Sequence, residues 1–276
     1  MNNTIEIHET AFVTATFRAS DEELSKDLYS EYWRNTKTDN WNMNYVKKVS
    51  LEEPFVHCLR NRFFYETIKQ LIDRKEVEVI INFGCGFSMY PYLFDEEVIH
   101  IEIDQREVID YKKSCVEDWV KEGKLPNREI HYLTKDFNLQ RDELEDEIKS
   151  IIGDKPSFVI LEGVILFLSQ ECTNDLIDLI GRVQTAGSYF GSVSYLDEIN
   201  DLDCFKRLTT FLENEAMSGN KFDCLTLPTS YYENLPNYGL VEHEDYVSLS
   251  EKYAPERAII NGNSILNENM YLLHKK

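Results

Sequence analysis

A buried strand that leads directly into a glycine turn constrains the fold of this chain more than any other feature. Within residues 77–83, Val79, Ile80 and Ile81 form an unbroken run of β-branched apolar side chains, which predicts a buried strand. The run ends in Gly84, Cys85 and Gly86, where glycines let the backbone turn tightly and approach a ligand closely. The next apolar strand ends in Asp104, whose carboxylate suits the hydroxyls of a ribose. This arrangement predicts a site for a nucleotide-type cofactor.

From residue 77 onward, apolar strands alternate with helical segments. Such alternation predicts an α/β fold with a Rossmann-like, mainly parallel sheet of seven strands and helices on both faces. The predicted strands are 77–83, 98–103, 129–134, 156–162, 187–195, 239–242 and 269–274, and the predicted helices between them are 88–95, 105–122, 138–152 and 171–184.

Two regions depart from this alternation. Residues 20–72 are predicted to be a mostly helical N-terminal extension. Residues 197–238 follow the fifth strand and are predicted to be helical at first and loop-like over 227–232. An insertion at the carboxyl edge of the sheet is expected to lie over the ligand crevice as a lid or substrate wall, with a purely structural insertion as the alternative. Because no repeat or flexible linker is found, residues 1–276 are predicted to form a single domain.

Composition excludes several classes of partner. The net charge of −21 is expected to repel phosphate backbones, which argues against a nucleic-acid substrate. The six cysteines are far apart and form no metal-binding spacing, so we expect reduced thiols, a cytoplasmic location and no metal. The first residues resemble no signal peptide, and no apolar run approaches the ~18 residues of a membrane span.

The glycine turn does not fit a dinucleotide. A dinucleotide fingerprint requires a third glycine for close packing of helix and strand, and this chain has Met89 at that position. S-adenosylmethionine (SAM) carries no pyrophosphate and needs only the tight turn at Gly84 and Gly86. SAM, with S-adenosylhomocysteine (SAH) as its product, is therefore the expected cofactor, and an NAD-type dehydrogenase is disfavoured.

Acidic residues follow the strands where a SAM site would need them. Asp104 is expected to bind the ribose, Asp136 the adenine amine, and Phe137 the face of the adenine ring. Asp104 and Asp136 have an alternative interpretation as helix caps. Glu162 lies between two apolar stretches, where a carboxylate needs a partner or ligand, and it is expected to bind the ammonium of SAM.

These segments resemble the leucine carboxyl methyltransferase family of SAM-dependent methyltransferases, including its bacterial O-methyltransferase branch. The resemblance covers roughly residues 20–275, and it is carried by the strings Asn82-Phe83-Gly84-Cys85-Gly86, Ile101-Glu102-Ile103-Asp104 with Val108 to Lys112, and Leu161-Glu162-Gly163-Val164-Ile165-Leu166-Phe167-Leu168. It implies a Rossmann-like SAM-methyltransferase fold.

The resemblance also implies basic residues that hold the SAM carboxylate. By matching, Arg60 fills the arginine role and Lys26 the lysine role, and a guanidinium can grip a carboxylate with two hydrogen bonds. After the turn the family usually has Leu-Asp-Thr-Arg, whereas this chain has residues 87–90 as Phe-Ser-Met-Tyr. The family pattern therefore does not predict which contacts order this loop.

The implied reaction is methyl transfer to the carboxylate or hydroxyl of a small molecule. A carboxylate acceptor needs no base, whereas a hydroxyl does, and none of the six histidines lies in a motif that marks it as catalytic. An apolar or aromatic acceptor is expected from aromatic residues of the N-terminal helices and the insertion, namely Tyr29, Tyr32, Trp33, Trp41, Tyr231 and Tyr232. The alternatives are a SAM- or nucleoside-binding protein without methyl transfer, and carboxyl methylation of a protein C-terminus.

Overall fold

A computed structural model of the protein describes residues 10–95, 97–137, 139–215 and 221–276. The described residues form one seven-stranded sheet, whose strands are β1 (Val79–Phe83), β2 (Ile99–Asp104), β3 (His131–Thr134), β4 (Ser157–Leu161), β5 (Tyr189–Ser194), β6 (Tyr238–Asp245) and β7 (Asn269–Lys275). The α-helices are α1 (Thr10–Arg18), α2 (Glu22–Ser25), α3 (Thr36–Lys48), α4 (Glu53–Asp73), α5 (Tyr90–Leu93), α6 (Arg106–Lys121), α7 (Arg141–Ile152), α8 (Gln170–Val183), α9 (Asp203–Glu215), α10 (Thr229–Glu233) and α11 (Tyr246–Tyr253).

The strands lie in the order β3-β2-β1-β4-β5-β7-β6. The first five are parallel to their neighbours, and β7 runs antiparallel to both β5 and β6. Since β2 and β4 lie on opposite sides of β1, the strand order reverses at β1. In open α/β sheets, ligands bind at such a reversal, outside the carboxyl ends of the strands.

The predicted mainly parallel sheet is confirmed, and each predicted strand has its counterpart within a few residues. Strand β6 is longer than predicted and has an irregular register between Leu240 and Glu242. Residues 216–220 of the insertion and position 138, where a helix was predicted to begin, lie outside the described residues. Among the described residues, no helix is both long and apolar enough to cross a membrane.

The loop predicted over 227–232 is wrong, because Thr229–Glu233 forms helix α10. Tyr232 is fully buried there, with its ring centroid 3.9 Å from that of Tyr271 and its hydroxyl 3.1 Å from Ser192 Oγ. Packing against β5 and β7 therefore stabilises a helical turn that its short local sequence does not predict. Tyr231 bonds to Asn174 on α8, so neither tyrosine reaches the cofactor edge through its described contacts.

Apolar side chains cover both faces of the sheet. One core joins α4 and α11 to β1, β4 and β7, with Phe63, Phe64 and Tyr246 among its fully buried members. The opposite core joins α7, α8 and α10 to the sheet. A third cluster packs α1 and α3 against α9, so the insertion after β5 lies on the N-terminal helices.

Candidate cofactor and active site

The glycine turn lies directly after β1, at the point where the strand order reverses. Gly84 and Gly86 have φ angles of +61° and +44°, in the left-handed region that favours glycine. The amide of Cys85 donates to the Ile103 carbonyl at 3.1 Å, which holds the turn against β2. A Cβ atom on Gly84 would lie 2.7 Å from Val164 Cγ2, so only glycine fits between the turn and the segment after β4.

We expect Gly84→Ala to lower the free energy of unfolding by about 2–4 kcal/mol, because backbone strain and a steric clash add together. Gly123→Ala is the matched control, since Gly123 also has a positive φ, +72°, but nothing lies within 4 Å of its added Cβ. Urea unfolding of both variants separates the clash from the strain. Equal losses in the two variants would contradict the close packing against Val164.

The segment after the turn is ordered by hydrogen bonds of its own. The side-chain amide nitrogen of Asn82, Nδ2, donates to Ser88 Oγ at 2.8 Å, and Ser88 Oγ donates to the Cys85 carbonyl at 2.8 Å. The Tyr90 hydroxyl donates to Glu162 Oε2 at 2.8 Å. The departure from the family's sequence at 87–90 thus has its own ordering network, and it adds a tyrosine to the site.

Asp104 binds the turn from the end of β2. Its Oδ2 accepts from the Gly86 amide at 2.8 Å, and its Oδ1 accepts from the Gln105 amide at 2.7 Å. The N-cap residues of α6 and α7 are Gln105 and Gln140, so neither Asp104 nor Asp136 holds the capping position that the alternative interpretation gave it.

A cavity of about 350 Å³ lies beside Asp104, at the carboxyl ends of β2 and β3. Such a volume is within the usual range for small-molecule sites. Asp136 lies in its wall, and the Phe137 ring packs edge-on against Phe83 with centroids 5.9 Å apart. The cavity is lined by Gln105, Arg106, Glu107, Thr134, Lys135, Asp136 and Gln140. Its polar lining and position fit a nucleoside.

A buried charge cluster lies on the other side of the turn. Arg60 Nε donates to Glu162 Oε1 at 3.0 Å, and Arg60 Nη1 donates to Glu268 at 2.8 and 3.1 Å. The Tyr246 hydroxyl also donates to Glu268. All three charged side chains are more than nine-tenths buried.

Arg18 is a second buried arginine in this cluster, and the sequence interpretation missed it. Its Nη1 lies 3.3 Å from Asn61 Oδ1 and 3.7 Å from Asp27 Oδ2, both long contacts. Its Nε is buried, and no described residue is a partner for it. Burial alone would raise the pKa of Glu162, but the charges of Arg18 and Arg60 hold it below its ordinary value. A buried guanidinium whose Nε has no partner among the described residues fits the carboxylate of an amino acid.

Lys26 and Cys85 differ from these charged groups. Lys26 is the left-handed C-cap of α2, with φ +60°, and among the described residues no hydrogen bond or ion pair links it to Arg60 or Glu162. Burial raises the pKa of the Cys85 thiol well above its ordinary value, which favours the inert thiol.

A buried ion pair joins α6 to β2 beside the glycine turn. Lys112 Nζ on α6 lies 2.6 Å from Glu102 Oε2 on β2, and both side chains are about 1–2% exposed.

Within the described ranges, no group of three or more His, Cys, Asp or Glu side chains is arranged to hold a metal ion.

The strand order, the glycine turn and the strand-end acids define a cofactor-binding protein of the Rossmann-like α/β class. A model of the leucine carboxyl methyltransferase family matches residues 11–181. The chain therefore belongs to this family, and it is a SAM-dependent methyltransferase with SAM as its cofactor, as the sequence analysis predicted.

Two solved structures share the fold over almost the whole chain. A DUF574 family protein from Streptomyces avermitilis has a TM-score of 0.71 and 12% identity, covering 100% of this chain and 99% of that one. A candidate methyltransferase from Thermobifida fusca has a TM-score of 0.67 and 12% identity, covering 99% and 96%. No curated protein sequence matches the chain.

Proposed function

We propose that the protein transfers a methyl group from SAM to an oxygen atom of a small, apolar or aromatic metabolite. The observation that carries this proposal is the buried cluster of Arg18, Arg60 and Glu162 beside the glycine turn. Its guanidinium groups suit the carboxylate of an amino acid, and Glu162 suits the ammonium. Together these groups match the methionine end of SAM.

The nucleoside end of SAM is assigned to the cavity at the ends of β2 and β3. In this proposal Asp104 binds the ribose, and Asp136 and Phe137 bind the adenine, while the backbone from Gly84 to Gly86 passes close to the cofactor. When bound, SAM supplies an electrophilic methyl group on a sulfonium. The protein's own residues orient the acceptor and exclude water. Lys26 stays a prediction from the family pattern.

The proposed acceptor class is supported by a second cavity, of about 360 Å³, next to the glycine turn. Four aromatic side chains line it: Phe12 from α1, Trp41 from α3, Phe87 from the turn and Tyr111 from α6. Of the aromatic residues that the sequence analysis suggested for the acceptor, Trp41 lines this cavity. Aromatic walls favour an apolar or aromatic ligand over a sugar.

The insertion after β5 is proposed as a wall of the acceptor site. Tyr195, Phe205 and Phe211 pack with Trp41 and Tyr45 of α3, so the insertion contacts the same helix that lines the cavity. We further propose that the protein acts as a single domain, because one continuous sheet carries both ends of the cofactor site.

Calorimetric titration with SAM and SAH, with NADH as the control ligand, tests this function. We expect micromolar binding of both adenosyl ligands and no binding of NADH. Failure of SAM and SAH to bind would overturn the proposed cofactor site. Binding without transfer to any member of a panel of phenols, alcohols and carboxylates would favour a binding protein over an enzyme.

Glu162→Ala is expected to weaken SAM binding by more than tenfold, because it removes the carboxylate assigned to the ammonium. Glu171→Ala is the matched control, since Glu171 is exposed at the start of α8. The same titration measures both variants. Unchanged affinity of a folded Glu162→Ala protein would show that the methionine end lies elsewhere.

A further inference from the structure

Helix α4 presents a second ionisable group on the same face as Arg60. Glu53, His57 and Arg60 are spaced i, i+4 and i+7, so their side chains lie along one face of the helix. Arg60 belongs to the charge cluster described above. Glu53 lies two turns earlier, is only 2% exposed, and makes no contact that the cofactor assignment uses.

Glu53 on α4 and Asn42 on α3 both carry buried polar atoms without partners among the described residues. Glu53 Oε2 accepts from the Tyr45 hydroxyl at 3.0 Å, but Oε1 is buried and has no hydrogen-bond partner among the described residues. Asn42, one turn before Tyr45 on α3, is 5% exposed, and none of the described residues bonds to either its amide nitrogen or its oxygen. A buried polar atom without a partner is destabilising, because it has lost its hydrogen bonds to water. These atoms therefore point to a ligand that brings both a hydrogen-bond donor and an acceptor.

The electrostatics of this place disfavour an anionic ligand. Burial, together with the charge of Glu268, raises the pKa of Glu53 to about 8. A further carboxylate would add negative charge beside Glu268, whereas a hydroxyl can donate to the ionised form of Glu53 at Oε1. The ionisable groups that bear on Glu53 are Tyr45 on α3, His57 and Arg60 on α4, Tyr195 after β5, Cys204 on α9, Tyr246 on α11 and Glu268 before β7.

Two buried histidines, His57 on α4 and His100 on β2, are poor proton acceptors. His57 Nδ1 lies 2.9 Å from the Glu53 carbonyl, and burial with the charge of Arg60 lowers the pKa of His57 well below its ordinary value. His100 lies within β2, and burial lowers its pKa to about 3. Neither of these two histidines is therefore favoured as the base for a hydroxyl acceptor.

We propose that Glu53 accepts the proton of a neutral hydroxyl acceptor, which Asn42 and Tyr45 hold in place. This inference rests on the proposed function. It restricts the methyl acceptor, which could be a carboxylate or a hydroxyl, to a hydroxyl. The acceptor oxygen forms a bond to the methyl carbon as the bond from that carbon to sulfur breaks. The electron pair of that bond stays on sulfur, and the hydroxyl proton moves to Glu53 Oε1 and then to solvent.

Proton release during ligand binding tests the position of Glu53 without a known acceptor. In SAM the sulfur atom that bears the transferred methyl group is a positively charged sulfonium. In SAH the same sulfur is neutral. At pH 7 Glu53 is mostly protonated in the free protein. Because the positive charge of a nearby sulfonium favours the ionised carboxylate, SAM binding is expected to release the proton. Calorimetry in two buffers of different ionisation enthalpy is expected to show more proton release with SAM than with SAH.

Glu53→Gln is expected to abolish this difference while both ligands still bind, because glutamine keeps the shape and the Tyr45 hydrogen bond. Glu66→Gln, on the same helix but half-buried and paired with Arg62 at 2.7 Å, is expected to keep it. At pH 9.5 the difference is expected to vanish in the wild type, since Glu53 is then already ionised. Equal proton release with SAM and SAH at pH 7, in a protein that binds both, would overturn the inference and leave the proposed function intact.

Methyl transfer from isotopically labelled SAM provides the second test. The wild type is expected to label phenols and not the matched aromatic carboxylates, and Glu53→Gln is expected to lower the rate with phenols at least 100-fold. Labelling of carboxylates at an unchanged rate in Glu53→Gln would overturn the inference. Absence of any SAM or SAH binding would instead overturn the proposed function.

Discussion

Arg60→Met is expected to lower the free energy of unfolding by about 3–5 kcal/mol. The substitution removes the one guanidinium that hydrogen-bonds both Glu162 and Glu268 among the described residues, and it leaves two carboxylates more than nine-tenths buried. Removing one partner of a buried ion pair is strongly destabilising, because the remaining charge stays out of water. Urea unfolding at pH 7 measures the loss. The same experiment on Arg62→Met, whose partner Glu66 is partly exposed, is expected to show less than about 1 kcal/mol.

The loss in Arg60→Met is expected to depend on pH. In the wild type the pKa of Glu162 is held below its ordinary value, so the ionised carboxylate contributes stability above that value and loses it as the pH falls through the folded-state pKa. The difference between wild type and variant is therefore expected to be largest near pH 7 and to shrink toward pH 4. A difference that is independent of pH would indicate that Arg60 stabilises the fold through packing alone.

Lys112→Met is expected to cost a similar 3–5 kcal/mol. It leaves Glu102 unpaired at 1% exposure in the middle of β2, where Glu102 lies opposite Asn82 of β1. Lys113→Met is the matched control, because Lys113 is exposed on the same helix. Thermal unfolding of the two variants gives the comparison. A folded Lys112→Met protein with unchanged stability would show that the ion pair is replaceable by an apolar contact.

Local sequence predicted most of the fold because the strands are strongly patterned. Strands β1 and β4 are buried over their full length, and most of each appears in the sequence as a continuous apolar run, Val79 to Ile81 and Phe158 to Leu161. The turn at Gly84 was predictable for the same local reason, since only glycine tolerates its φ and its closeness to Val164. Helix α10 was missed because its stability comes from distant residues such as Tyr271.

The charge cluster was only half predictable. Arg60 and Glu162 were recognised through apolar surroundings and family pattern, and the structure places them 3.0 Å apart. Arg18 and Glu268 were missed, although each is buried in the same cluster. Arg18 is the first arginine or lysine of the chain and ends the apolar helix α1, so the sequence does carry a signal for it. Glu268 lies beyond the residues that the family model matches, and no local pattern marks it.

The long sequence separation between Arg60 and Glu268 has a consequence for folding. The two residues are 208 positions apart, so their ion pair closes a very long loop and joins early and late parts of the chain. Contacts of this kind form slowly. During synthesis, Arg60 can pair with Glu268 only after the segment that precedes β7 has been made. We expect a ribosome-bound chain that ends before residue 268 to lack the completed charge cluster of Arg60, Glu162 and Glu268, even where β1 to β4 have already paired.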